Sequence, residues 1–138
     1  MTQKAAFQLD KYLFTKVNID LDNKLDDKMS VQFDPSGVFL KDKSQYDLKF
    51  TFKAFFKESG PEKPYVLIEC IGLFNFENVS SLDEIPSFFY RNAIAILFPY
   101  LRAFVSMVTL QANLVPVVLP TLNLSDLEQP LKENTVIQ

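Results

Sequence analysis

Residues 97–127 read LFPYLRAFVSMVTLQANLVPVVLPTLNLSDL, and the fold turns on how that stretch is covered. From Pro86 to Leu122 the only charged residues are Arg91 and Arg102. Phe98, Leu101, Phe104, Val105, Met107, Val108 and Leu110 leave almost no polar face, and a helix that is apolar nearly all round is buried nearly all round. A chain of 138 residues has little else to wrap it, so the cover is expected to be other subunits, a bound apolar partner, or both. On this reading Phe98, Leu101, Val105 and Val108 lie in a helical interface of a tetramer. Such continuity would also suit a membrane span. Arg102 sits mid-run, however, and Pro99, Pro116 and Pro120 interrupt any single helix of about 20 residues, so membrane insertion is set aside.

Around this stretch the residues predict one long helix from roughly Pro86 to Gln111, kinked or broken near Pro99, where proline removes a backbone hydrogen bond. Ser81 with Glu84 reads as a capping box, and Pro86 suits a first helical turn. Asn113 to Leu122 contains two prolines and is predicted extended. A second capping box, Ser125-Asp126-Leu127-Glu128, opens a last helix that Pro130 keeps short or broken. The tail from Asn134 to Gln138 is expected to fray.

Upstream, the period is two. Phe7, Leu9, Leu13, Val17, Ile19 and Leu21 alternate with polar residues, which predicts a first strand with one wet face. Tyr12 and Phe14 are aromatics on that wet face, either packed across strands or reserved for a subunit or client contact. Residues 20–28, DLDNKLDDK, read as an exposed loop. Met29, Val31 and Phe33 begin a second strand. Asp34-Pro35-Ser36-Gly37 then has the residues of a type I turn, so this strand is expected to be interrupted or bulged before Val38 to Leu40. Tyr46, Leu48, Phe50, Phe52, Ala54 and Phe56 share one face of a third, amphipathic antiparallel strand. The turn formers from Glu58 to Pro64 close a hairpin, and Tyr65 to Phe76, apolar on both sides, returns inside the sheet.

Composition bounds the chemistry. A chain of this length is one domain, 1–138, and 48% hydrophobic residues with 14 phenylalanines supply its core. A net charge of −3 gives no broad basic surface, which argues against nucleic acid. The chain has no histidine, the commonest general base and metal ligand. Cys70 lies mid-strand and reads as a buried structural thiol; a single cysteine forms no internal disulfide. The three glycines form no phosphate cradle. Asp20, Asp22, Asp26 and Asp27 lack the spacing and central glycine of a calcium loop. The segment MTQKAAFQLDKY has no apolar core suited to a leader. A cytosolic binding protein, without cofactor or metal and not an enzyme, is the expectation; the Asn78 and Asn123 sequons are then accidental.

Phe98-Pro99-Tyr100, Arg102, Ser106-Met107-Val108, Pro116 with Leu119-Pro120, and Asn123 leading to Leu127 keep family order and near-family spacing, and the chain resembles the SecB family of protein-export chaperones. Phe7-Gln8-Leu9, Thr15-Lys16 and Gly72-Leu73-Phe74 extend the likeness over about residues 7 to 131. The resemblance implies an α+β fold with a four-stranded antiparallel sheet plus helices, assembled as a dimer of dimers; the expected helices are the long kinked one and the short C-terminal one read above, the latter a departure from the family's longer last helix. It implies an ATP-independent chaperone that holds unfolded preproteins and delivers them to the SecA motor. Residues 20–28 would be a crossover loop bordering the client groove, with Val31, Phe33, Leu127 and Leu131 lining that groove. Asp20, and Glu69 after a two-residue shift, would belong to the acidic patch that docks the motor. Lys16 stands where the family has an acid, and the tail after Glu128 departs from the family's motor-binding tail, so docking should be weakened or redirected. Relatives serving a toxin–antitoxin pair or carried by phages fit the same residues. So does a carrier of small apolar ligands with one enclosed pocket between sheet and helix.

Overall fold

The computed structural model describes residues 6–138; residues 1–5, which begin the segment read above for a leader, lie outside the described residues. Strands β1 (Phe7–Ile19), β2 (Met29–Leu40), β3 (Gln45–Phe56) and β4 (Val66–Phe76) precede helix α1 (Phe89–Gln111), helix α2 (Glu128–Glu133) and a last strand β5 (Thr135–Ile137). The sheet order is β1-β4-β3-β2-β5, antiparallel throughout except that β5 runs parallel to β2. The α+β class, the long helix and the short C-terminal helix agree with the sequence reading; the sheet has five strands where four were expected. Residues 20–28 carry the chain from β1 past β4 and β3 to β2, as a crossover requires.

The fifth strand is the tail that was expected to fray. Gly37 donates to the Asn134 carbonyl at 3.1 Å, Gln138 to the Phe39 carbonyl at 2.9 Å, and Lys41 to the Gln138 carbonyl at 3.2 Å. The β-branched run Thr135-Val136-Ile137 thus satisfies groups that β2 would otherwise present as a bare edge.

No turn forms at Asp34–Gly37. β2 pairs with β3 without a register shift, from Met29 opposite Phe56 to Leu40 opposite Gln45. Lys57 donates to the Lys28 carbonyl, which sets even-numbered β2 residues bonding toward β3 and odd-numbered ones toward the outer edge. Pro35 is therefore in an outward position, where its missing N–H breaks no bond to β3. Gly37 serves Tyr46: a Cβ there would collide with the Tyr46 ring and hydroxyl. Through this gap the Tyr46 hydroxyl crosses β2 and meets Thr135 Oγ1 on β5 at 2.6 Å.

β1 is not one alternating strand. Its register against β4 slips between Leu9 and Lys11 and again between Phe14 and Lys16. Each bulge inverts which residues face the helix. Phe7 and Leu9 face it before the first, Tyr12 and Phe14 between the two, Val17 and Ile19 after the second; Leu13 is turned to the outer face and exposed. The two aromatics that broke the sequence pattern are thereby aimed at α1. Tyr12 stacks on Tyr100 with centroids 4.2 Å apart, and Phe14 on Phe104 at 3.9 Å.

α1 begins at Phe89, later than predicted. Ser80 and Ser81 hydroxyls donate to Glu84 Oε1 at 2.9 and 3.1 Å and hold its carboxyl below the usual range, but this network closes a short 3-10 turn at Leu82–Glu84 ahead of the helix. The helix runs unbroken through Pro99, which lies with Ala95 on the exposed side. Its inner face, including Phe89, Ala93, Ile94, Leu97, Leu101 and Val105, is buried. Phe89 packs against Phe7, Tyr46, Phe74 and Phe76 at 4.9, 4.9, 5.6 and 4.7 Å. Gly72 admits the helix, since a Cβ there would stand 3.2 Å from the Leu97 methyls. α1 is long and apolar enough to cross a membrane by length and composition alone; here one side is packed on the sheet.

Beyond α1 the chain folds back along it. Arg102 Nη2 donates to the Leu119 carbonyl at 3.0 Å, Ser106 Oγ to the Val117 carbonyl at 2.9 Å, and the Val117 N–H to Thr109 Oγ1 at 2.9 Å. These three side chains, four and three residues apart, form one polar stripe on the helix. They hold residues 115–120 so that Val117 and Leu119 are buried while Val115 and Val118 are 82% and 72% exposed.

Gly37→Ala should destabilise the fold by about 1–3 kcal/mol, because the new methyl and Tyr46 claim the same space. The urea midpoint of the variant is expected to fall accordingly.

Candidate functional site

The face of β2 that looks toward the helices carries Met29, Val31 and Phe33, opposite Phe56, Ala54 and Phe52 of β3. At one end Phe33, Leu122, Asn123, Asp126 and Leu127 line an open cleft of about 200 Å³. At the other, Lys24, Met29, Phe56, Tyr65, Val115, Pro116 and Val117 line one of about 150 Å³. Val31 stands between them, half-buried. The Phe33 ring is fixed by Phe52 at 5.3 Å and Phe98 at 5.6 Å. Asn123 accepts from the Ser125 backbone at 3.3 Å and so caps the 3-10 turn Leu124–Leu127 that sets Leu127 in the wall.

The backbone adds a second feature. Val31 and Phe33 occupy outward positions of the ladder, and β5 reaches only Gly37 to Phe39, so their N–H and C=O groups face an unpaired edge. A strand edge beside apolar clefts can receive an extended peptide through main-chain bonds while the clefts take alternate side chains.

The residues predicted from sequence separate. Phe33 and Leu127 share one cleft and Val31 adjoins it, whereas Leu131 is fully buried and belongs to the core. Phe98, Leu101 and Val105 are covered within the chain's own core, and Val108 is half-buried. The outward face of α1 instead presents Ile96, Tyr100, Ala103, Met107 and Leu110, spaced 4, 3, 4 and 3 residues apart. That spacing is visible in the sequence, but without the sheet nothing ranks it above the other apolar faces. Tyr12, Phe14, Tyr100, Ala103, Phe104 and Met107 line a further open cleft of about 170 Å³ beside the stripe. Sequence reasoning also missed Met29, Phe56, Tyr65 and Val115 as cleft residues.

The two carboxylates assigned to motor docking are engaged within the chain. Asp20 accepts from the Asp22 N–H at 3.0 Å and from Asn23 Nδ2 at 3.3 Å, capping the 3-10 turn at Leu21–Asn23. Glu69 pairs with Lys49 at 3.1 Å, and Lys16 lies opposite it on the β1–β4 ladder. Burial pushes the Cys70 thiol up to about 12, so it is protonated at neutral pH and inert as a nucleophile.

These elements build an open apolar groove beside a strand edge, without a constellation of reacting groups. The chain matches the family of preprotein translocase subunit SecB over residues 16–133 and belongs to that family. It is 35% identical over 83 residues to an uncharacterized protein of Methanocaldococcus jannaschii, a match that covers 57% of this chain and 53% of that protein. The chain thus matches about half the length of that relative. Among solved structures it resembles the Mycobacterium tuberculosis Rv1957 SecB-like chaperone in complex with a ChAD peptide from the Rv1956 HigA1 antitoxin. The TM-score is 0.66 at 15% identity, over 85% of this chain and 88% of that one.

Leu131→Ala should lower stability by about 2–5 kcal/mol in chemical denaturation, as a buried truncation does. Leu127→Ala, at the cleft wall, is expected to act mainly on the affinity for an unfolded polypeptide, measured by titration.

Proposed function

We propose that this chain is an ATP-independent holder of unfolded polypeptides in the cytosol, acting as a homo-oligomer. The observation that carries the reading is the line Met29–Val31–Phe33, about 13 Å of strand with an apolar cleft at each end and an unpaired edge alongside. Such a groove takes extended apolar segments without demanding one shape. Apolar burial of about 25 cal/mol per Å² makes each contact weak, and several along one client give avidity with easy release. The relative that binds an antitoxin peptide supports a polypeptide client. A carrier of small apolar ligands fits less well. Phe89, Leu97, Leu101 and their neighbours fill the space between sheet and helix, and the open clefts at its rim fall below the ~300 Å³ of ordinary ligand pockets.

The assembly we favour is a dimer of dimers. Its helical contact would be the outward stripe Ile96, Tyr100, Ala103, Met107 and Leu110, whose average spacing of 3.5 residues suits packing against a second helix. Delivery to a SecA-type motor is the family's role. The internal engagement of Asp20 and the lysines flanking Glu69 favour a holder that serves another dedicated partner, such as a toxin–antitoxin pair.

Size-exclusion chromatography with light scattering, with and without a reduced, unfolded client, tests the core of this reading. A multiple of 15.9 kDa that takes up client is expected, and a monodisperse single subunit at micromolar concentration would overturn the assembly. Met107→Asp should split the oligomer while leaving each subunit folded, because it sets an unpaired charge in the outward contact. A pull-down with the motor separates the two destinations: capture that Asp20→Lys with Glu69→Lys abolishes supports delivery, and no capture supports the dedicated partner.

A further inference from the structure

We propose that β5 is a displaceable strand covering the far end of the β2 edge, and that an extended polypeptide segment takes its place. The inference rests on the polypeptide-holding reading above. Odd-numbered β2 residues bond outward along the whole strand, so the open edge at Val31 and Phe33 and the covered edge from Gly37 to Lys41 are one ladder, punctuated only by Pro35. A segment pairing beside Val31 and Phe33 and continuing along β2 runs into β5. The tail itself shows what this edge accepts, namely an extended β-branched run held through its backbone.

β5 is built to come away. It is three residues long, and Val136 and Ile137 remain 54% and 51% exposed, so apolar burial contributes little to holding it. Its side-chain anchor is Thr135. That hydroxyl donates to the Leu131 carbonyl at 2.7 Å and so accepts the Tyr46 proton through the gap at Gly37. The same clasp connects the tail to the groove, because α2, which holds Leu131, follows directly on the turn that places Leu127 in the cleft wall. Displacing β5 extends the edge a client can pair with beyond Pro35 to the end of β2.

Val38 and Val136 are register partners on the face away from α1, so Val38→Cys with Val136→Cys would staple the tail in place. The test measures the affinity of the full-length protein for reduced, carboxymethylated α-lactalbumin, which stays unfolded with or without reductant. The oxidised staple should bind at least about fivefold more weakly than its reduced form, and Val136→Pro, which removes a tail N–H, about threefold more tightly than the unaltered chain. In the unaltered chain the Gln138 amide, bonded to Phe39, should lose hydrogen-exchange protection when client binds. Equal affinities of oxidised and reduced staple, with Gln138 still protected, overturn the inference and leave the function intact. Failure of every form to bind client removes the function and this inference with it.

Discussion

The packing of Phe89 against rings from three strands is the contact on which the rest of the structure depends. Phe7 of β1, Tyr46 of β3, and Phe74 and Phe76 of β4 all reach it, three of them within 5 Å. Tilted and edge-on ring pairs of this kind contribute about 0.5–1.5 kcal/mol each beyond their buried area. Placed at the first residue of α1, the cluster fixes where the helix starts and which face turns inward. Leu97 over Gly72 then sets how closely it lies on the sheet.

Once the inner face is fixed, the polar residues of α1 settle the rest. Arg102, Ser106 and Thr109 look out of place in an apolar run, yet they bind the backbone of the following segment and decide its path. That path puts Val115 to Val117 at one cleft and delivers Leu122 to the other. The apolar groove is positioned by hydrogen bonds, while the apolar residues of its walls supply only the lining.

Much of this was legible in the sequence, and the failures have physical causes. The alternation of Tyr46 to Phe56 gave β3 outright because every inner position is apolar and most outer ones are charged or polar. β1 looked like one alternating strand because a bulge has no side-chain signature; only Tyr12 and Phe14 betrayed the inversion. Pro35 and Gly37 imitate a turn, but one occupies an outward ladder position and the other makes room for a tyrosine from the next strand, and neither fact is local. The tail from Asn134 was read as frayed since its partner, the far half of β2, lies almost a hundred residues earlier. For the helix, uniform apolarity announced burial but could not say which face met the chain's own sheet. Hence Phe98, Leu101 and Val105 were assigned to a neighbour when they serve the core. Phe33 and Leu127 line one open cleft while Leu131 is buried in the core, because a resemblance transfers position along the chain more reliably than depth.

The place of β1 in the sheet bears on how the chain is made. β2, β3 and β4 form a meander through short connections, whereas β1 closes only onto β4, with Ile19 meeting Val66 and Phe7 meeting Phe76. Non-local pairing of this kind comes late in folding. During synthesis at ~5–20 residues per second, the residues of the first strand precede their partners by roughly 2–14 s. Throughout that interval Phe7, Leu9, Tyr12, Phe14 and Val17 are apolar residues whose β4 partners have yet to be made. In its own biogenesis, the molecule has as its first strand a stretch with the chemistry of the segments its groove is proposed to hold.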